Sequence, residues 1–293
     1  MAALPALALE RFEAVEPAMG TLFRIVVYAG SAVEARTGFN AAFARARSLD
    51  ERLSDYRAES ELNRLCRAGQ AQVSQDLFDV LVIARQLAKT SHGAFDPTLG
   101  PFTRLWRESR RSGRLPSAEA INEARGRAGW RKLRLKPRTR LVTLAVPGMQ
   151  LDLGGIAKGY AADQMLAELR RAGIPQALVA ASGDIAIGDA PPGQPGWTIE
   201  AGRSTRMLAN RGVSTSGPAE QFVTIGAVRY AHIIDPRTGI GLINASTAGV
   251  IAPTATLADA LATAAVVLTG DKAQRLSRRW KAVCLKGTEA EQR

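Results

Sequence analysis

The hydrophobic pattern of the first third of the chain changes from a strand period to a helix period. "TLFRIVVYA" at 21–29 is rich in β-branched and aromatic residues, which predicts a strand. Residues 32–52 carry Ala and Arg with apolar positions at helical spacing, which predicts a long amphipathic helix. Residues 74–93 begin with a Ser that can cap a helix and end in Gly, so we expect a second helix there.

The rest of the chain predicts shorter elements of both kinds. In order, these are a basic helix–loop excursion at 106–128, a hairpin at 132–146 turning near Pro137, a strand at 150–154, a helix at 155–173, two strands at 176–188 around a turn at Ser182–Asp184, a surface turn at 191–196, strands at 197–201, 212–216, 221–225 and 247–252, the helix that holds Asp259, and a basic helix at 271–281. Strands and helices mix without regular βαβ alternation, which favours an α+β fold with a mixed, largely antiparallel sheet flanked by helices. No linker rich in Pro, Gly or Ser divides the chain, so we expect a single domain.

Composition adds few constraints. The 293 residues are 46% hydrophobic and 23% charged, as in ordinary globular proteins. Two cysteines, Cys66 and Cys284, make neither a disulfide framework nor a zinc pattern. The start, "MAALPALALE", has no basic region or clear cleavage site, and no apolar run is long enough for a transmembrane helix. The chain as given is therefore expected in the cytoplasm, or in the periplasm or at a membrane if an export segment is missing.

The net charge of +12 is concentrated in one segment. Residues 104–140 hold thirteen Arg or Lys against three Glu. Aromatic residues are only 5% of the chain, and no nucleic-acid-binding motif stands out, so no nucleic-acid partner is expected. The segment is interpreted as a solvated basic face, with attraction of an anionic substrate or partner as the alternative.

Acid and hydroxyl side chains share one face of the helix "TLADALATA" at 256–264. Asp259 and Thr263 are four residues apart, so they are neighbours on the helix surface. The pair is consistent with simple solvent exposure. It is also consistent with an oxygen-rich corner that binds a hard cation such as Mg²⁺.

Two further stretches contain residues that could carry chemistry. In "LDLGGIAKGYAAD" (151–163), Asp152 stands at the end of a predicted strand, glycines open a turn, and Lys158 lies early in the next helix. The start of that helix is suited to phosphate binding, although a tight turn that needs Gly explains the glycines equally well. In "HIIDPRTG" (232–239), His232 lies three residues before Asp235. Histidine is the usual proton-transfer group near neutral pH, but an isolated histidine is more often structural.

Two loops could contact a ligand or serve only the fold. "GAFDPTLGPFTRLW" (93–106) combines an Asp-Pro and a Gly-Pro pair, which specify a rigid irregular loop. "LSDYRAESELN" (53–63) presents Tyr56, which could stack on a planar ligand or simply pack, followed by a possible helix start.

Taken in order, seven stretches resemble the ApbE family of FAD:protein FMN transferases. They are MGT at 19–21, LSDYxxxSELN at 53–63, GAFDPTLGP at 93–101, LDLGGIAKGYAAD at 151–163, TSG at 215–217, HIIDPRTG at 232–239 and ADALATA at 258–264. The resemblance covers nearly the whole chain and implies one ApbE-like domain over about 12–284. Ser182 stands where a glycine is common in the family.

The resemblance implies both an activity and a site. Family members bind FAD and Mg²⁺, transfer the FMN half of FAD to a Ser or Thr hydroxyl of an acceptor protein, and release AMP. By position, the implied metal ligands are Asp259, Thr263 and the backbone oxygen of Gly155. The implied flavin contacts are Met19, Tyr56, Ala94, Phe95, Asp96, Asp152, Lys158 and Ile233. His232, or Asp235 beside it, is the expected proton acceptor.

Three functions remain open at this stage. The first is an Mg²⁺-dependent flavin transferase whose partners are FAD and an acceptor protein. The second is an FAD pyrophosphatase that uses the same site with water as nucleophile. The third is a flavin- or nucleic-acid-binding protein without catalysis. The metal is expected to be Mg²⁺, with Mn²⁺ and Ca²⁺ as alternatives.

Overall fold

The computed structural model describes residues 8–202, 204–217, 222–243 and 246–285. The strands in these ranges are β1 (Glu10–Ala18), β2 (Thr21–Ala29), β3 (Gln70–Gln72), β4 (Leu133–Lys136), β5 (Leu141–Leu144), β6 (Ala177–Ala181), β7 (Asp184–Ile187), β8 (Trp197–Ala201), β9 (Ser204–Leu208), β10 (Arg211–Ser216), β11 (Phe222–Ile225), β12 (Val228–Asp235), β13 (Ile240–Ile243), β14 (Ala248–Ala252) and β15 (Val283–Leu285). The helices are α1 (Ala32–Leu53), α2 (Glu61–Ala68), α3 (Gln75–Thr90), α4 (Gly100–Ser112), α5 (Ala118–Arg127), α6 (Ala157–Arg171), α7 (Ala255–Leu268) and α8 (Gly270–Arg279).

A seven-stranded sheet forms the centre of the molecule, in the order β1-β2-β6-β7-β10-β14-β15. Neighbouring strands in this sheet run antiparallel. Smaller sheets are built from β11-β12-β13, from β3-β5-β4 and from the β8-β9 hairpin. The α+β class predicted from the element order is confirmed, and the sheet is largely antiparallel as expected.

Helices cover one face of the central sheet and the β8-β9 hairpin covers the other. α1, α6 and α7 pack together and against the sheet through the largest apolar core, which includes Phe23, Ile25 and Leu49. On the opposite face, Trp197 and Ile199 pack in a second apolar cluster. No helix in the described part of the chain is both long enough and apolar enough to cross a membrane.

Several local predictions are confirmed. The strand at 21–29 is β2 and the helix at 32–52 is α1. Ser74 caps α3 as expected, since its hydroxyl accepts the N–H of Leu77 at 3.3 Å. The hairpin at 132–146 is β4-β5, and the strand predicted at 221–225 is β11, which is described from Phe222.

The strand predicted at 150–154 is wrong. Leu151 and Leu153 are buried on either side of Asp152, which imitates a strand pattern. The segment is instead a loop whose N–H groups bond outside any sheet. That of Asp152 donates to the carbonyl of Pro97 at 2.9 Å, and that of Leu151 donates to the sulfur of Cys66 at 3.3 Å.

The rigid loop predicted at 93–106 is wrong in its second half. Helix α4 begins at Gly100, with Pro101 in its first turn, where the missing N–H of proline has no intrahelical partner to lose. The excursion predicted at 106–128 therefore resolves into most of α4 followed by α5. Strand β1 was not predicted from the sequence.

Close contact between α6 and α7 makes Gly159→Ala a strongly destabilising change. A Cβ on Gly159 would lie 2.3 Å from the carbonyl oxygen of Ala255 and 2.8 Å from Cβ of Asp259. We expect the substitution to lower the free energy of unfolding by about 1–3 kcal/mol, because overpacking forces the helices apart. Urea unfolding measures the loss.

Gly126→Ala is the matched control for this prediction. Gly126 lies inside α5, and nothing lies within 4 Å of the Cβ it would gain. A helical Gly→Ala change without a clash stabilises, by about 0.4–1 kcal/mol. Equal destabilisation by both substitutions would show that the α6–α7 contact is not the cause.

Candidate functional site

A cleft of about 640 Å³ opens at one end of the central sheet. Its walls come from the β1-β2 turn, the loops at 53–57 and 94–96, the start of α6, the β6-β7 turn, the end of β10, the middle of β12 and one side of α7. Volumes of this size hold small molecules and cofactors. The predicted residues that line it are Met19, Tyr56, Ala94, Phe95, Asp96, Asp152, Gly155, Lys158, His232, Ile233, Asp259 and Thr263.

Two hairpin turns form the rim beside the sheet. Met19 and Gly20 connect β1 to β2 with φ angles of 49° and 74°, and positive φ at both positions defines the tight turn that suits a twisted hairpin. Ser182 in the β6-β7 turn also has a positive φ, 53°. Its hydroxyl lies 2.6 Å from that of Thr21. The left-handed backbone explains why glycine suits position 182, and Ser182 adds a bond that glycine lacks.

The start of α6 and the side of α7 meet at a buried acidic corner. Asp259 and Asp184 are only 3% and 2% exposed. The Lys158 ammonium lies 2.7 Å from Oδ2 of Asp184 and 3.9 Å from Oδ2 of Asp259. Asp259 also accepts the N–H of Gly159 at 3.1 Å, and Ser214 donates to Asp184 at 2.6 Å. One lysine thus faces two buried carboxylates.

This corner carries more negative charge than its neighbours neutralise. Burial and the charge of Asp184 raise the pKa of Asp259 to about 7, against the opposing effects of Lys158 and the N–H of Gly159. A divalent cation would relieve this excess, since it favours the ionised form of both carboxylates. The acidic corner therefore suits a hard cation electrostatically.

Neutral oxygens complete the donor set. A Cβ on Gly155 would lie 2.8 Å from Oγ1 of Thr263, so there is no room for a side chain on Gly155 beside the Thr263 hydroxyl. Carboxylate, hydroxyl and carbonyl oxygens are the donors that Mg²⁺ prefers. The described residues contain no cluster of three or more His, Cys, Asp and Glu side chains that could hold a metal. The residues at this corner fit a magnesium-type ion that keeps water and substrate oxygens as further ligands.

Asp163 fixes the position of α7 relative to α6. Its carboxylate accepts the N–H groups of Ala255 and Thr256 at 2.9 and 2.8 Å and the hydroxyl of Thr256 at 2.5 Å. Because α6 also carries Lys158 and α7 carries Asp259, this cap sets the spacing of the acidic corner.

The pairing of β12 is irregular where this strand passes the cleft. The pairing of β12 with β13 shifts register between Tyr230 and Ile234. In a regular strand, neighbouring side chains point to opposite faces. Here His232, Ile233 and Ile234 all line the cleft, with Ile233 and Ile234 packed in different apolar clusters. Irregular pairing of this kind is common beside functional sites.

Asp235 does not line the cleft with these residues. Its carboxylate accepts the backbone N–H of Arg237 at 2.9 Å and two guanidinium N–H groups at 3.0 and 2.7 Å. These bonds to Arg237 lower the pKa of Asp235 against the opposing effect of burial. The predicted role of Asp235 as an alternative proton acceptor is therefore not supported, because its carboxylate holds the turn after β12.

Two further carboxylates at the cleft, Asp96 and Asp152, organise loops. Asp96 accepts the N–H and hydroxyl of Thr98 at 2.8 and 2.6 Å and the N–H of Trp130 at 3.0 Å. Asp152 accepts the hydroxyl of Thr103 at 2.5 Å and the N–H of Gly154 at 2.8 Å. Both residues line the cleft, and both carboxylates are engaged within the protein.

Four residues at the cleft were missed from the sequence. Asp184 and Ser214 join the acidic corner, and Asp55 and Arg107 form an ion pair beside Tyr56. The guanidinium of Arg107 lies 3.9 Å from the centre of the Tyr56 ring. Asp184 could have been suspected from its position directly after the two-residue turn that joins β6 to β7. Nothing in the sequence separates Arg107 from the other basic residues of 104–140.

Comparison with known proteins gives one consistent result. The model of the ApbE family matches residues 19–285. The FAD:protein FMN transferase of Treponema pallidum is 34% identical, over 92% of this chain and 82% of its own length. That of Haemophilus influenzae is 32% identical, over 78% of this chain and 71% of its own length.

Solved structures give the same result. The apo form of the flavinyl transferase ApbE from Pseudomonas stutzeri superposes with a TM-score of 0.83 at 29% identity, covering 96% of this chain and 92% of that one. The ApbE protein of Thermotoga maritima has a TM-score of 0.83 at 28% identity, covering 96% of this chain and 97% of that one.

Proposed function

The chain belongs to the ApbE family, and from this premise we propose that it transfers the FMN part of FAD to a Ser or Thr hydroxyl of an acceptor protein and releases AMP, with Mg²⁺ as cofactor. One observation carries the proposal. The residues predicted as flavin or metal contacts are scattered between positions 19 and 263 of the sequence, yet they line a single cleft.

The start of α6, together with a cation at the acidic corner, would supply the positive charge that a pyrophosphate needs. Lys158 provides a positive charge at the start of α6. The N-cap residue of α6 is Ile156, whose side chain cannot accept a hydrogen bond. The positive end of the helix dipole therefore lies at the acidic corner, where Asp259 accepts the N–H of Gly159. We assign the diphosphate of FAD to this region.

Asp259, Thr263 and the backbone oxygen of Gly155 would hold Mg²⁺, with Asp184 close by. When bound, the ion would neutralise charge that develops on the phosphate oxygens. The protein itself contributes alignment, because the Asp163 cap and the Gly159 contact hold α6 and α7 in place.

His232 is the proposed proton acceptor. The acceptor hydroxyl oxygen attacks the phosphorus on the FMN side of the pyrophosphate. The bond from that phosphorus to the bridging oxygen breaks, AMP leaves with the oxygen, and the hydroxyl proton passes to the imidazole of His232. This side chain is exposed at the cleft, so an incoming acceptor segment can reach it. Water can reach it too, and FAD hydrolysis is therefore the second candidate reaction.

One incubation tests the proposal. The purified protein is mixed with FAD and MgCl₂, with and without a candidate acceptor protein, while AMP and the acceptor mass are followed. AMP together with acceptor carrying an FMN adduct is the expected result, and EDTA should abolish both. AMP with free FMN alone would identify a hydrolase. FAD binding without AMP in any mixture would leave a non-catalytic flavin-binding protein and refute the proposal.

A further inference from the structure

A second hollow lies directly outside the cleft, along one side of α4. It has a volume of about 810 Å³ and is called the α4 groove here. Its lining residues are Asp55, Tyr56, Arg104, Leu105, Arg107, Glu108, Arg110 and Arg111. The proposed transfer reaction assigns no role to this groove.

The four arginines of the α4 groove lie on one face of the helix. Positions 104, 107 and 111 have the i, i+3 and i+7 spacing of a helical stripe, and Arg110 lies beside them. The basic residues of α4 are thus concentrated on one side of the helix. Four of them line the same hollow.

The acidic residues of the groove balance only part of this charge. Arg107 pairs with Asp55, and Arg111 pairs with Glu108 at 2.5 Å. Arg104 forms no ion pair with any acidic side chain in the described ranges. Leaving Arg110 out of the balance, three arginines still face two acids among the residues that line the α4 groove.

The helix dipole accounts for only two of these charges. Arg110 and Arg111 lie in the last turn of α4, where positive charge favours the helix. Arg104 and Arg107 lie earlier and gain little from the dipole. Arg107 has its ion pair with Asp55, which leaves Arg104 as the residue whose charge the fold does not explain.

The α4 groove leads into the cleft. Asp55, Tyr56, Arg107 and Arg110 line both hollows. Tyr56 is 75% exposed and stands at the junction under the Arg107 guanidinium. A chain segment lying in the groove would therefore enter the cleft at one end.

We propose that the α4 groove docks an acidic segment of the acceptor protein and thereby delivers the acceptor hydroxyl to the cleft. The inference rests on the proposed transfer reaction. Charge complementarity selects an acidic partner, and guanidinium groups are suited to carboxylates. The pyrophosphate of FAD is already assigned to Lys158 and the start of α6. An anion site outside the cleft therefore suits the acceptor protein better than FAD.

The test compares two double charge reversals with the same change in net charge. Arg104→Glu with Arg111→Glu alters the groove, since both residues line the groove and neither lines the cleft. Arg134→Glu with Arg138→Glu is the control, on exposed positions of the β4-β5 hairpin region that line neither hollow. Each intact protein is titrated with FAD, and separately with a fluorescent peptide of Asp and Glu residues around one Thr and with a twin carrying Lys in place of the acids.

We expect the acidic peptide, and not its basic twin, to bind the wild type and the control variant. Binding to the groove variant should be about tenfold weaker, because two favourable charge contacts become repulsive. FAD affinity should be the same in all three proteins. Equal peptide binding by both variants, or no binding to the wild type, would overturn the proposal.

Two other outcomes would reassign the groove. Weaker FAD binding in the groove variant alone would make it part of the FAD site. Tighter binding of a short single-stranded DNA than of the acidic peptide, with the same dependence on Arg104 and Arg111, would make it a nucleic-acid surface. Failure of the transfer reaction is recognised separately, as absence of AMP release from FAD and MgCl₂ by the wild type.

Discussion

Asp259→Asn should lower the rate of AMP release from FAD by at least about 10²-fold at saturating MgCl₂. A metal ion or another fixed charge stabilises the transition state of phosphoryl transfer by this amount or more. The substitution keeps the size of the side chain and removes its charge. Asp259 is the carboxylate predicted to bind the metal, and it lies at the acidic corner beside Lys158 and Asp184. The measurement is AMP release followed over a range of MgCl₂ concentrations.

The same substitution separates a metal role from a structural one. In metal-free wild type, the unfolded chain ionises Asp259 near its ordinary pKa of 3.8, while the folded protein retains the proton to a pKa of about 7. Folded stability should therefore fall as pH rises through this window. Metal-free Asp259→Asn should lose that part of the pH dependence and be at least as stable as the wild type at pH 8. Added MgCl₂ should raise the melting temperature of the wild type and not that of the variant.

Asp163→Asn is the matched control on the neighbouring helix. Its carboxylate caps α7, so the substitution should lower the free energy of unfolding by about 1–2 kcal/mol. It should weaken stabilisation by MgCl₂ far less than Asp259→Asn does, because the carboxylate that is proposed to bind the metal is still present. If Asp259→Asn destabilised the metal-free protein in the same way and kept its response to MgCl₂, Asp259 would be a structural acid and the metal assignment would fail.

The elements that could be predicted from the sequence are those whose own pattern decides their structure. The amphipathic stripe of 32–52 and the β-branched run of 21–29 gave α1 and β2 nearly residue for residue. The segment 150–154 failed because buried leucines on alternate positions look the same in a strand and in a loop wedged into the core. A pattern of burial does not identify the hydrogen-bond partners of the backbone.

Residues of the candidate site could be predicted where a local sequence motif contains them. They could not be predicted where distant segments meet only in the folded protein. Asp259 and Lys158 could be named from their own stretches. Asp184 and Ser214 belong with them only because β6, β7 and β10 are neighbours in the sheet and end at the cleft. The register shift around His232 and Ile233 depends on pairing between β12 and β13. The contribution of Asp235 to the turn depends on the conformation of the Arg237 side chain, which donates to its carboxylate.

His232→Asn should slow transfer of FMN to an acceptor by about 10²–10⁴-fold, which is the usual contribution of a positioned proton acceptor. Asparagine keeps a polar side chain at the β12 bulge but cannot take up a proton at neutral pH. FAD affinity should change little, because the proposed role concerns the acceptor hydroxyl. AMP release and the FMN adduct are measured together, with FAD binding followed in the same protein.

His92→Asn is the same substitution at the other histidine of the chain. His92 is exposed just after α3 and does not line the cleft. Its φ of 54° is one that asparagine tolerates, so this variant should transfer FMN at the wild-type rate. Near-normal transfer by His232→Asn with FAD still bound would remove His232 from the mechanism. With Asp235 held by Arg237, the proton would then have to pass to bulk water or to the phosphate itself, and the catalytic contribution of the protein would reduce to the alignment and charge supplied by α6 and α7.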